Sequence, residues 1–145
     1  MKIAVVNGPN LNLLGEREPA IYGRTTLAEL EAQVIAYGLE RGAEVRCSQF
    51  NSEGAIIDEL HRLRTWADGI ILNPAAYTHY SYAVRDAILA ITVPTIEVHL
   101  SDINKREAFR KISVTADACV AQIMGLGVDS YLRAIDELTS RRSGG

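Results

Sequence analysis

Residues 3 to 6, Ile-Ala-Val-Val, form a continuous apolar run, and residues 7 to 23, NGPNLNLLGEREPAIYG, follow it directly. Such a run is typical of a strand that is buried on both faces of a parallel sheet. The segment after it contains three glycines, two prolines and three asparagines, which predicts a long loop with several turns. Because the loop also carries leucines, Arg17 and Tyr22, we interpret residues 15 to 25 as a lid over a site. The alternative is a surface connection whose tyrosine has no function.

Composition limits the kind of protein that this chain can be. Its 145 residues are 48% hydrophobic and 23% charged, which is typical of one globular domain. The net charge of −3 argues against a nucleic-acid partner. No apolar run approaches the roughly 20 residues of a membrane span, and we find no signal peptide. We therefore expect one cytoplasmic domain, residues 1 to 145, with no membrane partner and a frayed tail at residues 143 to 145.

Strand and helix patterns alternate after the first loop. Further strands are predicted at residues 43 to 50, 69 to 73 and 95 to 99, and helices with one apolar face at about 26 to 41, 52 to 63, 81 to 90 and 129 to 141. Residues 118 to 127 fit either a strand or a helix by periodicity, and we assign the fifth strand there because the alternation requires one. The pattern predicts an α/β fold: a flavodoxin-like, doubly wound, five-stranded parallel sheet of order 2-1-3-4-5, with helices on both faces.

Polar side chains follow the first, third and fourth predicted strands. In a sheet of this order, ligands bind beyond the carboxyl ends of the strands, near the first and third strands. Glu97 and His99 are two residues apart on one strand, so both point to one side, and the carboxylate could fix the tautomer of the imidazole. Such a pair is often only a hydrogen-bonded cap, and this alternative stays open. The other candidates at this edge and in the loops above it are Asn7, Asn10, Asn73, His79, Leu100, Ser101, Arg17, Arg106 and Arg110.

Several chemistries are disfavoured by what the sequence lacks. It has no P-loop and no acidic cluster of the kind that holds magnesium for phosphoryl transfer, and Gly125-Leu126-Gly127 lacks the third glycine of a dinucleotide-binding motif. The three histidines are too scattered to predict a metal site. None of the three lysines follows a predicted strand, which disfavours Schiff-base chemistry. We therefore expect acid–base chemistry without cofactor or metal, acting on a small, oxygen-rich anion.

Four motifs in this order resemble the type II 3-dehydroquinate dehydratases over essentially the whole chain. They are the loop at residues 7 to 23, QFNSEG at 49 to 54, LNPAAYTHYS at 72 to 81, and EVHLSD at 97 to 102 followed by Arg106, Glu107 and Arg110. The chain departs from the family pattern at Tyr80, Asp102, Ile112 and Ser130. Tyr80 adjoins His79, so the rim of the pocket is expected to differ from that of relatives.

The resemblance implies an activity and an assembly. The activity is the reversible loss of water from 3-dehydroquinate to give 3-dehydroshikimate, in the shikimate pathway to aromatic amino acids. The elimination is anti and passes through an enolate, with a tyrosinate as base and a histidine as acid. The assembly is a homododecamer, a tetramer of trimers.

The resemblance also implies roles for individual residues. Tyr22 is the base, His99 the acid, and Arg17 keeps the tyrosine ionised. Asn10 helps to hold the enolate oxygen through a water molecule. On physical grounds one arginine is marginal for stabilising a phenolate under a closed lid, and a second, for which we expect Arg110, would help. The substrate-binding positions are Asn73 with the backbone amides of Leu100 and Ser101 for the carboxylate, His79 and Arg110 for hydroxyl groups, and Asp86 reaching the site of a neighbouring subunit.

Two other functions remain open at this point. One is a small-molecule binding or regulatory module without catalysis, against which the presence of Arg17, Tyr22 and His99 together argues. The other is a different cofactor-free lyase or isomerase of hydroxylated keto acids, because the same groups could act on a related substrate.

Overall fold

The computed structural model describes residues 1 to 144, and the side chains of residues 1 to 142. In this described part of the chain, five parallel strands form one sheet of order β2-β1-β3-β4-β5, so the predicted fold class and strand order are confirmed. The strands are β1 (Lys2–Asn7), β2 (Glu44–Gln49), β3 (Gly69–Asn73), β4 (Thr95–His99) and β5 (Ala121–Met124). The fifth strand is shorter than predicted because a 3₁₀ turn at Ala116–Ala118 precedes it and Gly125, with φ of 81°, ends it.

Within residues 1 to 144, five α-helices connect or follow the strands: α1 (Pro19–Tyr22), α2 (Leu27–Glu40), α3 (Glu53–Leu63), α4 (Tyr82–Ala90) and α5 (Asp129–Gly144). The α1 turn lies inside the loop for which the sequence predicted no helix, and Pro19 at its first position favours that turn. The expected frayed tail, residues 143 to 145, lies outside the residues whose side chains are described. Among the described residues, no helix is both long and apolar enough to cross a bilayer.

Side-chain caps explain where three of the helices begin. The Oγ atoms of Thr26, Ser52 and Ser81 accept hydrogen bonds from backbone N–H groups three residues later, at 3.2, 3.0 and 3.0 Å. Each bond satisfies one of the N–H groups that a helix start leaves without an intrahelical partner. The predicted starts of α2, α3 and α4 are therefore confirmed.

Two apolar layers enclose the sheet. Ile3 and Val5 of β1 pack towards α2 and α5, whereas Ala4 and Val6 pack towards α3 and α4, as the alternation of side chains along a strand requires. The ends of β1 and β3 then come close together: Gly8 N–H donates to Asn73 O at 2.8 Å, and a Cβ on Gly8 would lie 2.7 Å from Pro74 O. Glycine at position 8 therefore lets the long loop leave β1 directly over the end of β3.

Candidate active site

A pocket lies at the carboxyl edge of the sheet, where β1, β3 and β4 end. The long loop after β1 and the 3₁₀ turns after β4 form its walls. Ten of the candidate residues from the sequence line it: Asn10, Arg17, Tyr22, Asn73, His79, His99, Leu100, Ser101, Arg106 and Arg110. Asp86 is exposed on α4 and does not line this pocket. The strand order therefore brings together residues that are up to about one hundred positions apart, as expected for a site at the switch point of such a sheet.

Two arginines contact the hydroxyl group of Tyr22. Arg17 Nη2 donates to Tyr22 Oη at 3.0 Å, and Arg106 Nη1 donates to the same oxygen at 3.2 Å. The Arg17 guanidinium carbon also lies 4.2 Å from the centre of the tyrosine ring. Two positively charged groups therefore donate hydrogen bonds to one phenol oxygen.

The second arginine is not the one expected from the sequence. Arg110 lines the pocket, but its Nε lies 2.7 Å from Glu107 Oε2, three residues earlier in the same turn. Arg106 contacts Tyr22 instead, because the 3₁₀ turn at Ile103–Lys105 directs its side chain back over the end of β4. There Arg106 Nη1 also donates to Ser101 Oγ at 3.3 Å. The prediction of Arg110 as the partner of Tyr22 is therefore wrong.

His99 forms a hydrogen bond to a fully buried carboxylate. Its Nε2 lies 2.9 Å from Glu97 Oε2, which confirms that the two side chains point to one side of β4. Burial opposes ionisation of Glu97, but the hydrogen bond and charge of His99, together with other donors, outweigh it and lower the pKa of Glu97 to about 2. Because Nε2 is hydrogen-bonded to Glu97, Nδ1 is the ring nitrogen of His99 that is available to contact a ligand.

Three further donors hold Glu97, and the sequence analysis missed them. Gln122 Nε2 donates at 2.7 Å and Ser113 Oγ at 2.9 Å, and Thr115 Oγ1 also donates to this carboxylate. Gln122 is the direct neighbour of Glu97 across the β4–β5 pair, so the register of the fifth strand would have revealed it. Ser113 and Thr115 lie in an irregular segment, and no sequence pattern indicates their role.

We expect Glu97 to stabilise the fold at neutral pH and not in acid. Its pKa in the folded chain is depressed from the ordinary 4.5 to about 2, so the stability that it contributes is present above pH 4.5 and lost as the pH falls towards 2. Melting temperatures measured across this range should therefore fall more steeply for the native chain than for Glu97→Gln. Parallel curves for the two proteins would contradict this assignment.

His79 is held as a neutral hydrogen-bond acceptor. Its Nδ1 lies 2.8 Å from the carbonyl oxygen of Ile112, so Nδ1 carries the hydrogen and Nε2 has a free lone pair. Burial is the main cause that lowers the pKa of His79 below its ordinary 6.5. Because Ile112 contributes a backbone atom, the unusual side chain at this position leaves the contact unchanged. Tyr80 is 60% exposed and packs against Tyr77 outside the pocket lining, so it does not form the rim expected from the sequence.

The end of β3 presents an oriented amide beside the first residues after β4. Asn73 is 3% exposed, its Oδ1 accepts from Ala75 N–H at 3.0 Å, and its Nδ2 donates to Tyr131 Oη at 2.9 Å. Leu100 and Ser101 line the pocket next to it, and Leu100 O accepts from Gly127 N–H at 3.0 Å. This part of the pocket can donate hydrogen bonds to an anion.

Asn10 is placed by the QFNSEG motif. It has a left-handed backbone conformation, with φ of 68°, and its N–H donates to Asn51 Oδ1 at 3.0 Å. Gln49 Nε2 donates to Gly8 O at 3.1 Å and to Asn51 Oδ1 at 3.0 Å. The motif after β2 therefore supports the loop after β1, and the exposed side chain of Asn10 lies at the pocket.

The fold and the pocket define a flavodoxin-like α/β protein with a cation-lined site for a small, oxygen-rich molecule. In the part of the chain with described side chains, no group of three or more His, Cys, Asp or Glu residues could hold a metal ion.

Comparison with known proteins identifies the family. Residues 1–139 match the family model for class II dehydroquinase. The chain is 52% identical to 3-dehydroquinate dehydratase of Carboxydothermus hydrogenoformans, covering 100% of this chain and 97% of the relative. It is 55% identical to 3-dehydroquinate dehydratase of Anoxybacillus flavithermus, covering 93% and 91%. The crystal structure of type II dehydroquinase from Butyrivibrio crossotus matches with a TM-score of 0.94 and 50% identity, covering 95% of this chain and 97% of that one. The chain therefore belongs to the type II 3-dehydroquinate dehydratase family, as the motifs predicted.

Proposed function

We propose that this chain catalyses the reversible dehydration of 3-dehydroquinate to 3-dehydroshikimate, a step of the shikimate pathway to aromatic amino acids. One observation carries the proposal: Tyr22, bound by Arg17 and Arg106, and His99, bound by Glu97, line the same pocket. An elimination next to a ketone needs a base for the carbon-bound proton and an acid for the leaving hydroxyl, and these two groups are suited to those roles.

Tyr22 is the base in this proposal. As a phenolate stabilised by Arg17 and Arg106, its oxygen takes the proton from the carbon beside the ketone, and the electron pair moves to the carbonyl oxygen to form an enolate. Asn10, at the same pocket, holds the enolate oxygen through a water molecule. The two arginines stay in place throughout the step, so the reaction requires little reorganisation of charge around the base.

His99 is the acid. With Nε2–H donating to Glu97, the protonated ring gives the proton on Nδ1 to the departing hydroxyl group. The hydroxyl group leaves as water while the enolate collapses to the conjugated enone. Tyr22 then releases to solvent the proton that it took, and His99 takes a proton from solvent to replace the one that it gave. Both residues return to their starting states, which accounts for the absence of any cofactor from the proposed reaction.

The remaining groups bind the substrate. Its carboxylate lies against the Nδ2 amide of Asn73 and the backbone amides of Leu100 and Ser101. A hydroxyl group donates to Nε2 of His79, whose neutral ring is an acceptor, and Arg110 donates to another. These contacts fix the carbon that loses its proton against Tyr22.

An absorbance assay tests the activity. Purified protein is mixed with 3-dehydroquinate, and the ultraviolet absorbance of the conjugated enone is followed over a range of pH. We expect a steady rise that stops at an equilibrium, because the reaction is reversible. If no rise occurs at any pH, the proposal is wrong, and the other two functions, a binding module or another cofactor-free lyase or isomerase, remain.

Replacing Arg106 should make catalysis depend more strongly on pH. Arg106→Gln removes one of two charge-assisted hydrogen bonds to Tyr22, each worth about 1.5 to 3 kcal/mol, so we expect kcat to fall roughly ten- to hundredfold near pH 7. The deficit should shrink as the pH rises, because a phenolate then forms more readily without the guanidinium. Arg110→Gln is the matched control, and its effect should be independent of pH because it contacts Glu107 and not Tyr22. Equal pH profiles for the two variants would contradict the role of Arg106.

The chain is also proposed to assemble as a homododecamer, a tetramer of trimers, in which Asp86 reaches the site of a neighbouring subunit. Support comes from α4, where Tyr82, Asp86 and Leu89 follow helical spacing on one exposed face, so that apolar side chains flank the carboxylate. Sedimentation should give a mass near twelve times the 15.9 kDa of one chain. A monomeric species with full activity would contradict both the assembly and the role of Asp86.

A further inference from the structure

A buried tyrosine on α5 connects the pocket to the core. Tyr131 has no exposed surface, and its Oη lies between two asparagines at the ends of adjacent strands. It donates to Asn7 Oδ1 at 2.7 Å and accepts from Asn73 Nδ2 at 2.9 Å. Burial raises the pKa of Tyr131, so the phenol keeps its hydrogen at neutral pH. The direction of both hydrogen bonds is therefore fixed, because the single hydrogen goes to the amide oxygen of Asn7.

These contacts determine how the side-chain amide of Asn73 is oriented. Its Oδ1 is held by the N–H of Ala75 at 3.0 Å, and one of its two N–H hydrogens is held by Tyr131. An asparagine amide has two N–H hydrogens, so one remains to donate on the side that lines the pocket. Both ends of the amide group are thus fixed before any ligand binds.

We infer that Tyr131 is a positioning residue for substrate recognition: its hydroxyl orients the Asn73 amide so that the second N–H donates to the carboxylate of the substrate. The inference rests on the proposed function, which places that carboxylate at Asn73. Tyr131 does not touch the substrate and acts through Asn73.

The physical reason lies in the last torsion of asparagine, which is broad and roughly two-fold. If the amide turned over, its oxygen would face the pocket and repel an anion. Ala75 and Tyr131 oppose this rotation from the two ends of the group, and without the tyrosine hydroxyl Ala75 alone remains. We therefore expect loss of that hydroxyl to weaken carboxylate recognition partly and not completely.

Two inhibitors test selectively whether the Tyr131 hydroxyl supports recognition of the carboxylate. They are cyclohexane polyols with the same hydroxyl groups, one with a ring carboxylate and one without. In Tyr131→Phe, the inhibition constant of the carboxylate compound and the KM for 3-dehydroquinate should each rise about tenfold. Inhibition by the other compound and kcat should change less than threefold. Tyr37→Phe, which removes a hydroxyl bonded to Asp136 between α2 and α5, is the matched control and should leave the preference for the carboxylate unchanged. Equal weakening of both inhibitors in Tyr131→Phe, or weakening of neither, would overturn the inference.

A double-mutant comparison and a spectroscopic measurement separate positioning from general destabilisation. On an Asn73→Ala background, Tyr131→Phe should cause no additional loss of carboxylate preference. In the native chain, which needs no variant to fold, one Asn73 side-chain N–H resonance should exchange slowly with solvent, and the other should shift when the carboxylate compound binds. Additive losses, or equal shifts of both resonances, would contradict the inference.

The outcomes also distinguish the inference from the proposed function. If the native chain converts 3-dehydroquinate but Tyr131→Phe keeps full carboxylate preference, the function stands and the positioning role fails. If the native chain does not convert 3-dehydroquinate, the affinities of the two compounds are compared by calorimetric binding. A loss of preference for the carboxylate compound in Tyr131→Phe then supports the role of Tyr131 while the function fails.

Discussion

Tyr22→Phe is expected to lower kcat by about 10²- to 10⁴-fold, the range that a general base typically contributes. The change removes the oxygen that Arg17 and Arg106 contact and leaves the aromatic ring, on which Arg17 also packs at 4.2 Å from the ring centre. The pocket should therefore keep its shape, and the affinity for 3-dehydroquinate should change only a few-fold. Steady-state kinetics and calorimetric binding measure the two quantities separately.

The matched control for this variant is Tyr80→Phe. Tyr80 is 60% exposed, lies next to His79 in the sequence and does not line the pocket, so losing its hydroxyl should change kcat by less than twofold. If Tyr22→Phe retained full activity, the base would have to be another group. If it lost binding and turnover together, Tyr22 would serve to position the substrate and not to take its proton.

His99→Asn is expected to produce the second large loss, again about 10²- to 10⁴-fold in kcat, for a different reason. Asparagine keeps a polar side chain near Glu97 but has no proton to give to a leaving hydroxyl near neutral pH. The enolate should still form, because Arg17, Arg106 and Tyr22 are unchanged. His99→Asn should therefore block the loss of the hydroxyl group, after the proton has been taken from carbon. Tyr22→Phe should block the earlier step, the removal of that proton.

A comparison of Glu97→Gln with His99→Asn tests whether Glu97 supports His99 in its role as the acid. Glutamine can still accept a hydrogen bond from Nε2 of His99, but it has no charge to favour the protonated ring. We expect a smaller loss of kcat than in His99→Asn, confined mainly to the alkaline side of the pH profile. A loss that is equal at every pH would assign Glu97 a structural role alone.

Much of the fold follows from local patterns in the sequence. The continuous apolar runs at the first and third strands indicated a sheet covered on both faces, and Thr26, Ser52 and Ser81 marked helix starts that the structure confirms. Parallel strand order then placed the ends of β1, β3 and β4 together. The site could be located in this way because chain direction and alternation alone determine which strand ends meet.

What the sequence did not reveal depends on contacts between distant, irregular segments. Arg106 and Arg110 are equally plausible partners for Tyr22 by spacing, and the choice depends on how a 3₁₀ turn directs each side chain. The hydroxyl donors to Glu97 come from a segment without periodicity. Tyr131 is a typical apolar-face residue of α5 by pattern, and its polar role is visible only where its hydroxyl meets Asn7 and Asn73.

Hydrogen exchange at the substrate carbon tests the central claim most directly. Native chain, Tyr22→Phe and His99→Asn are each incubated with 3-dehydroquinate in deuterium oxide, and deuterium at the carbon beside the ketone is followed by nuclear magnetic resonance. Because Tyr22 is partly exposed, the proton that it takes can exchange with solvent before it returns. We predict that His99→Asn incorporates deuterium without releasing water, and that Tyr22→Phe does neither. Deuterium incorporation by Tyr22→Phe at the rate of His99→Asn would contradict the assignment of the base.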